Sequence, residues 1–308
     1  MLIIRTITEL KKCIKRAGAS TSASPRKRGS SNKTIGFVPT MGYLHDGHIS
    51  LVRAAKKEND FTVVSIFVNP MQFGPNEDLD KYPRDEKKDI ALLKKEKVDI
   101  LFLPGTKELY PGGFKTTVSV KELSGVLCGA SRPVHFDGVC TIVCKLFNLV
   151  EPDTAYFGQK DGQQLIIIKK MVEDLNLNVK IKAVPTVREK DGLAMSSRNM
   201  YLTKEERAQA PVLYQSLLKA KELINNVGAT CQAAPTKIIN TMRKMILNGT
   251  NGKAKIDYIE IRDAKTLDKI KKINGGALIA LAVKVGKARL IDNITIQNNN
   301  RGLASQKL

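Results

Sequence analysis

The chain has 308 residues, 42% of them hydrophobic, and 51 Lys and Arg against 30 Asp and Glu give a formal net charge of +21. That length accommodates one large or two medium domains with a substantial buried core. No apolar run approaches the ~20 residues of a membrane-spanning helix, and five cysteines, an odd number with no secretory leader, point to a reducing, cytoplasmic setting.

The opening Met1-Leu2-Ile3-Ile4-Arg5 is too short an apolar block for a signal peptide. Residues 18–33, rich in Gly, Ser, Lys and Arg, read as a flexible surface loop. Ile35-Gly36-Phe37-Val38 then reads as a buried parallel strand that stops at a turn containing Pro39 and Gly42. Ile49, Val52 and Ala55 recur at helical spacing, so a helix begins near Gly47 or His48.

A second strand is predicted over 62–70, a helix over 85–97 and a third strand over 98–103. Residues 153–157 form a short strand entering a turn at Gly158, Gln163 to Leu175 a helix, and Val179 to Val187 another strand. Beyond residue 200 the pattern changes. Thr203 caps a helix over 204–226, a second helix covers 235–247, and strands lie near 255–262 and 277–295, with Gly275-Gly276 as a turn. The β-α-β alternation predicts an α/β fold: a doubly wound parallel sheet over 1–186, with ligands at the carboxyl ends of its strands. A smaller α+β domain over 187–308 follows, with the site in the cleft between the two.

The chemistry concentrates at Met41-Gly42-Tyr43-Leu44-His45-Asp46-Gly47-His48, which joins the first long strand to its helix. Free backbone N–H groups and the positive end of the helix dipole meet there, which favours phosphate. Imidazoles at this place can donate to phosphoryl oxygens as charge develops. A histidine pair at i, i+3 also suits a helix cap or half of a metal site. The chain has three histidines in all, and no Cys or carboxylate cluster stands beside this pair at metal-ligand spacing, so the phosphate reading is preferred.

Two other features point to bland roles. The positive charge attracts nucleic acid phosphates without sequence preference, but much of it alternates with acids, as in Lys94-Lys95-Glu96-Lys97. Aromatics make up 5% of the chain and Trp is absent, so no base-stacking platform is visible and specific nucleic-acid binding is not expected. Cys140 and Cys144 lie one helical turn apart and read as small buried hydrophobes rather than as a redox pair.

The ordered motifs resemble those of pantothenate synthetases (pantoate–β-alanine ligases, AMP-forming) nearly end to end. They are Phe37 to Gly42 into His45-Asp46-Gly47-His48, Val64 to Phe73, Asp78 to Arg84, and Arg132-Pro133 through to Asn148. Tyr156 to Asp161 with Gln163-Gln164, Asp191 to Asn199, Asp257-Tyr258 and Arg289 to Asn293 complete the series. The resemblance implies a Rossmann-like nucleotidyltransferase domain of the HIGH type with the smaller domain closing over its active site. It also makes Leu2-Ile3-Ile4, with Leu10 and Ile14, the family's opening strand and helix. The implied reaction has two steps: pantoate attacks the α-phosphate of ATP to give pantoyl adenylate and pyrophosphate, and β-alanine then displaces AMP.

By the same resemblance, ATP is held by Met41, Gly42, Tyr43, Leu44, His45, Asp46, Gly47 and His48, then by Gly158, Gln159, Lys160 and Asp161, and by Val187, Met195, Ser196, Ser197 and Arg198. His48 is the implied proton donor and His45 assists on the phosphates. Lys160, Ser196 and Arg198 complete the catalytic set. Gln72 and Gln164 hold pantoate, with Gln72 also near β-alanine; neutral amides both donate and accept, which suits a polar hydroxy acid. Mg²⁺ is expected to be carried mainly by ATP, since Asp85 and Asp89 on a helix flank are better read as structural. Gly162 stands where relatives often carry a larger residue, which weakens the local helix. A homodimer is implied. A nucleotidylyltransferase that stops at AMP transfer is the competing enzyme reading, and the two glutamines argue against it because a phosphate acceptor calls for cations.

Overall fold

The computed structural model describes residues 1–17, 33–75, 77–226, 234–273 and 276–296; the expected loop at 18–33 lies outside them except for Lys33, as does Gly275 of the expected turn. The chain divides into two compact units. The first comprises residues 1–125, 132–159 and 163–187, and the second comprises 126–131, 160–162 and 188–308.

The first unit opens with β1 (Leu2–Ile4) and α1 (Ile7–Arg16), followed by β2 (Ile35–Thr40), α2 (Asp46–Glu58), β3 (Phe61–Ile66), α3 (Glu86–Lys95) and β4 (Ile100–Phe102). The short α4 (Thr106–Leu109) comes next. After α5 (Cys128–Ser131), which groups with the second unit, come α6 (His135–Val150), β5 (Thr154–Gly158), α7 (Gly162–Asp174) and β6 (Lys180–Val184). All six strands run parallel in the order β1-β4-β3-β2-β5-β6. The chain winds outward from β2 through β3 to β4, then returns to the other side of β2 as β5 and β6. The strand order therefore reverses between β2 and β5, where Gly36 and Phe37 pair with Thr154 and Ala155. In an open parallel sheet the crevice at the carboxyl ends of two such strands is the ligand position.

Both sheet faces are covered. Val38, Val64, Leu101 and Tyr156 point into a core with Val52 and Ala55 of α2 and Leu93 of α3. On the opposite face Phe147 of α6 meets Phe37 and Phe157 edge-on, each at 6.4 Å. With 16 residues, α6 is the longest helix described, and the element prediction passes over it. Phe136, Val139, Cys140, Val143, Leu146, Phe147 and Val150 give it the apolar stripe that would locate it. Cys140 and Cys144 are free thiols, and burial pushes the Cys140 thiol up to about 12.

The second unit carries a tight antiparallel turn with Arg188 bridged to Ala194, then α8 (Lys204–Gln209), α9 (Val212–Asn226) and α10 (Pro235–Gly249). An antiparallel sheet β7-β8-β9 follows, made of β7 (Lys255–Asp263), β8 (Ala277–Val285) and β9 (Ala288–Ile296). Thr203 caps α8 in a reciprocal capping box with Glu206. The single helix expected over 204–226 is broken between Gln209 and Val212. Pro211 stands at the break: it has no N–H to continue the ladder, and its ring excludes a regular preceding turn. The stretch 277–295 is two strands, not one. They reverse at Gly286-Lys287, where Gly286 has φ +55, and a glycine at the first central position of a two-residue hairpin supplies that conformation without strain. Leu213, Leu217, Ile238, Met242, Ile246, Ile279, Leu281 and Val283 form this unit's core. Among the described residues, no helix is long and apolar enough to cross a membrane.

Candidate functional site

The carboxyl end of β2 leads into the histidine turn. Two consecutive residues are left-handed there, Gly42 at φ +84 and Tyr43 at φ +51. A Cβ at Gly42 would lie 2.9 Å from Ile66 and 3.1 Å from the Asp89 carboxylate. Asp89, fully buried, accepts the Tyr43 N–H at 2.8 Å on one oxygen and the Leu44 N–H at 2.7 Å on the other. Burial pushes its carboxyl up, against the downward pull of these two donors. Asp89 is thus a backbone clamp on the turn, a role consistent with the structural reading of this acid.

His45 and His48 supply the cap of α2. His45 is the N-cap residue, its Nδ1 accepts the Gly47 N–H at 3.1 Å, and the Nδ1 of His48 accepts the His45 N–H at 3.3 Å. Ser, Thr, Asp or Asn ordinarily fills this position. An imidazole that accepts through Nδ1 carries its proton on Nε2 when neutral, so the cap also selects the tautomer. The two rings lie tilted against each other, their centroids 4.1 Å apart and their planes at 44°.

Gln72 ends a 3₁₀ turn, Pro70–Gln72, and is buried. Its Nε2 lies 2.8 Å from the sulfur of Met41, the first residue of the histidine turn, so the fold brings these two predicted residues together. Its backbone is held from α6 and the segment before it: the Gln72 carbonyl contacts Arg132 Nη2 at 3.2 Å and His135 Nδ1 at 2.9 Å. Arg132 is forked onto Glu77, with one contact at 2.8 Å and an ion pair between Nη2 and Oε2. Burial raises the Glu77 carboxyl, but the guanidinium outweighs it and holds the group below its usual value. Gln164 is half-buried in the first turn of α7, and its neighbour Gln163 donates to the Leu123 carbonyl at 2.9 Å. Val187 follows β6, and Gly158 and Gln159 close β5.

In the second unit, Lys160 and Asp161 pair at 3.6 Å. The Lys160 carbonyl accepts Asn293 Nδ2 at 2.6 Å, and a Cβ at Gly162 would come within 2.9 Å of the Asn293 amide. The absent side chain at Gly162 therefore leaves room for the contact that fixes the lysine turn, and as the first residue of α7 the glycine costs the helix little. Asn293 is held by its neighbour Asp292, which Arg188 grips with contacts of 2.6 and 3.0 Å while stacking on Tyr214. Ser196 caps the 3₁₀ turn Ser197–Tyr201 by accepting the Arg198 N–H at 3.3 Å; Ser197 is buried, and Met195 and Arg198 are half-buried beside it. Asn69, Asp292 and Asn293 receive no role from the sequence, although each lies inside one of its motifs.

A six-stranded parallel sheet with such a turn at its reversal point defines the doubly wound α/β proteins that bind ligands at strand carboxyl ends. The family model of pantoate–β-alanine ligases matches residues 2–295, and the chain belongs to that family. A pantothenate synthetase of Caldicellulosiruptor bescii is 55% identical over 297 residues, 96% of this chain and 99% of the relative. One from Thermosipho melanesiensis is 57% identical over 264 residues, 86% and 92% of the two chains. A crystal structure of the Thermus thermophilus pantothenate synthetase superposes with a TM-score of 0.84 at 44% identity, covering 96% of this chain and 99% of that one. A pantoate–β-alanine ligase from Francisella tularensis, solved with β,γ-ATP and β-alanine, gives 0.74 at 36% identity over 96% and 97%.

Proposed function

We propose that this chain condenses pantoate with β-alanine at the expense of ATP, through a pantoyl adenylate, with release of pyrophosphate and then AMP. The observation that carries the reading is the family match along residues 2–295. A carboxylate is a poor acyl donor; adenylation supplies a leaving group, and the enzyme must align anions, offset developing charge and exclude water. Residues 41–48, 158–161, Val187 and 195–198 are the proposed ATP contacts. The proton on His48 Nε2 would meet the α-phosphate, with His45, Lys160, Ser196 and Arg198 sharing the developing charge. Gln72 and Gln164 would bind pantoate. Mg²⁺ would enter as the counter-ion of the triphosphate, and Asp89 is committed to the turn. A cytoplasmic homodimer completes the reading.

Omitting each substrate in turn tests it. Pantoate with ATP should release pyrophosphate and leave a bound adenylate, whereas β-alanine with ATP should release nothing. ADP as product, or AMP formed without pantoate, would sink the assignment.

The excess positive charge leads to a separate expectation. Binding of DNA or RNA should be weak, indifferent to sequence and steeply lost with salt, because counterion release alone would drive it. Deleting residues 19–31 should reduce it and leave turnover nearly intact. A sequence-selective complex that survives moderate salt would overturn this.

A further inference from the structure

The amide of Asn69 has its orientation set by two backbone groups that cannot change sign. The Met71 N–H, which can only donate, lies 3.3 Å from Oδ1, and the Gly138 carbonyl, which can only accept, lies 2.9 Å from Nδ2. With that orientation fixed, the Tyr110 hydroxyl, 2.8 Å from Oδ1, must act as donor. The Tyr110 ring is itself held in place, tilted on Phe67 at 6.0 Å and edge-on to Phe114 at 5.0 Å, with the Lys145 ammonium over its face at 5.8 Å. The second hydrogen of Asn69 Nδ2 points at Gln72, 3.2 Å away, so the Gln72 atom there must be an acceptor, Oε1. Both side chains are buried, which makes a donor-to-donor misfit costly.

The chain of polarity therefore ends with Gln72 Nε2 directed at the Met41 sulfur. A thioether is a weak acceptor, so an incoming carboxylate or hydroxyl oxygen gains more at this nitrogen than it displaces. We infer that Tyr110 and Asn69 are positioning residues that hold the Gln72 amide with its NH₂ toward the substrate, so that this position reads an acceptor oxygen of the hydroxy acid and rejects a donor. The inference rests on the ligase reading for the identity of that acid and adds the direction of the hydrogen bond.

The test begins with the wild-type chain. The side-chain NH₂ resonances of Gln72, assigned by their loss in Gln72→Ala, should shift as pantoate is added and saturate at the affinity found by calorimetry. Asn69→Asp puts an acceptor where Gln72 now meets a donor; the glutamine should turn over, and pantoate affinity should fall at least about 10-fold, because an acceptor would then face the carboxylate. Tyr110→Phe is the gentler variant. It removes a brace on Asn69 whose orientation the two backbone groups still set, so any rise in the KM for pantoate should stay within about 3-fold, while kcat and the KM for ATP stay unchanged. Three results would each overturn the inference: Gln72 resonances indifferent to pantoate, wild-type pantoate affinity in a folded Asn69→Asp protein, or a Tyr110→Phe defect spread equally over all substrates. Failure of the wild type to bind pantoate at all would instead bring down the ligase reading, and this inference with it.

Discussion

His48→Asn is expected to fold with its helix cap in place and to lose roughly 10²–10³ in the rate of adenylate formation, the usual cost of removing one preorganised donor to developing charge. Asparagine can offer an oxygen where His48 Nδ1 now accepts the His45 N–H at 3.3 Å, but it has nothing in the place of Nε2. The substitution therefore separates the two jobs of this residue, which alanine would remove together. Lys160→Ala should cause a loss of the same order in the same step, while its backbone carbonyl can keep the contact from Asn293. The attack of β-alanine on presynthesised pantoyl adenylate should suffer much less in both variants, since the phosphate charge has by then been resolved. Stopped-flow traces of each half-reaction, with circular dichroism as a check on folding, decide the matter. Wild-type adenylate formation in His48→Asn would reduce the histidine to a cap.

Asp89→Ala should destabilise the protein by about 2–4 kcal/mol in urea titration, because it strands two backbone N–H groups in a buried setting. The turn from Gly42 to Leu44 would lose the anchor that holds two successive residues left-handed. A sharply raised KM for ATP should accompany the loss, with the KM for pantoate less affected. Asp89→Asn should fall between: one oxygen still accepts, but its NH₂ opposes the other backbone donor. The reading of Asp89 as a magnesium ligand makes a different forecast, namely that excess Mg²⁺ restores Asp89→Asn. The clamp requires that the defect be the same at every magnesium concentration.

Local signals serve the fold well where the chain reports its own environment. The apolar run 35–38 and the helical spacing of Ile49, Val52 and Ala55 correspond to β2 and α2, but the strand runs on through Pro39 and Thr40, which pair with Ser65 and Ile66, so the turn starts at Met41 and not at Pro39. The failures have physical causes of their own. Pro211 is easily read through because the apolar period persists on either side of it. The reversal at Gly286-Lys287 is hidden between β8 and β9, since β8 is buried at eight of its nine positions and shows almost no alternation. For the candidate site, the histidine turn stands out as residue types in context, whereas Gln72 is singled out only by the family resemblance, and the supports of both do not stand out. Asp89 reaches Leu44 across 45 residues and Gly138 meets Asn69 across 69, and no spacing rule links partners that far apart. Such residues become visible only when the sheet has brought their segments together.

Gly138 has a bearing on how this family can vary. A Cβ at that position would overlap the Met71 carbonyl and fall 2.5 Å from the Gln72 nitrogen. Both neighbours are main chain, so no rotamer change could make room; a single methyl group would have to push the whole 3₁₀ turn aside. The Gln72 amide, proposed above to read the acid, is thus located by a hydrogen atom on a neighbouring helix. On that proposal, a lineage selecting for a bulkier or smaller acid has two routes: exchange the side chains that touch it, or shift the turn that carries Gln72 from behind. The second route is closed in the enlarging direction, because glycine is already the smallest residue, and leads only toward displacement of Gln72. Diversity at residue 138 should therefore track loss of pantoate recognition rather than its refinement.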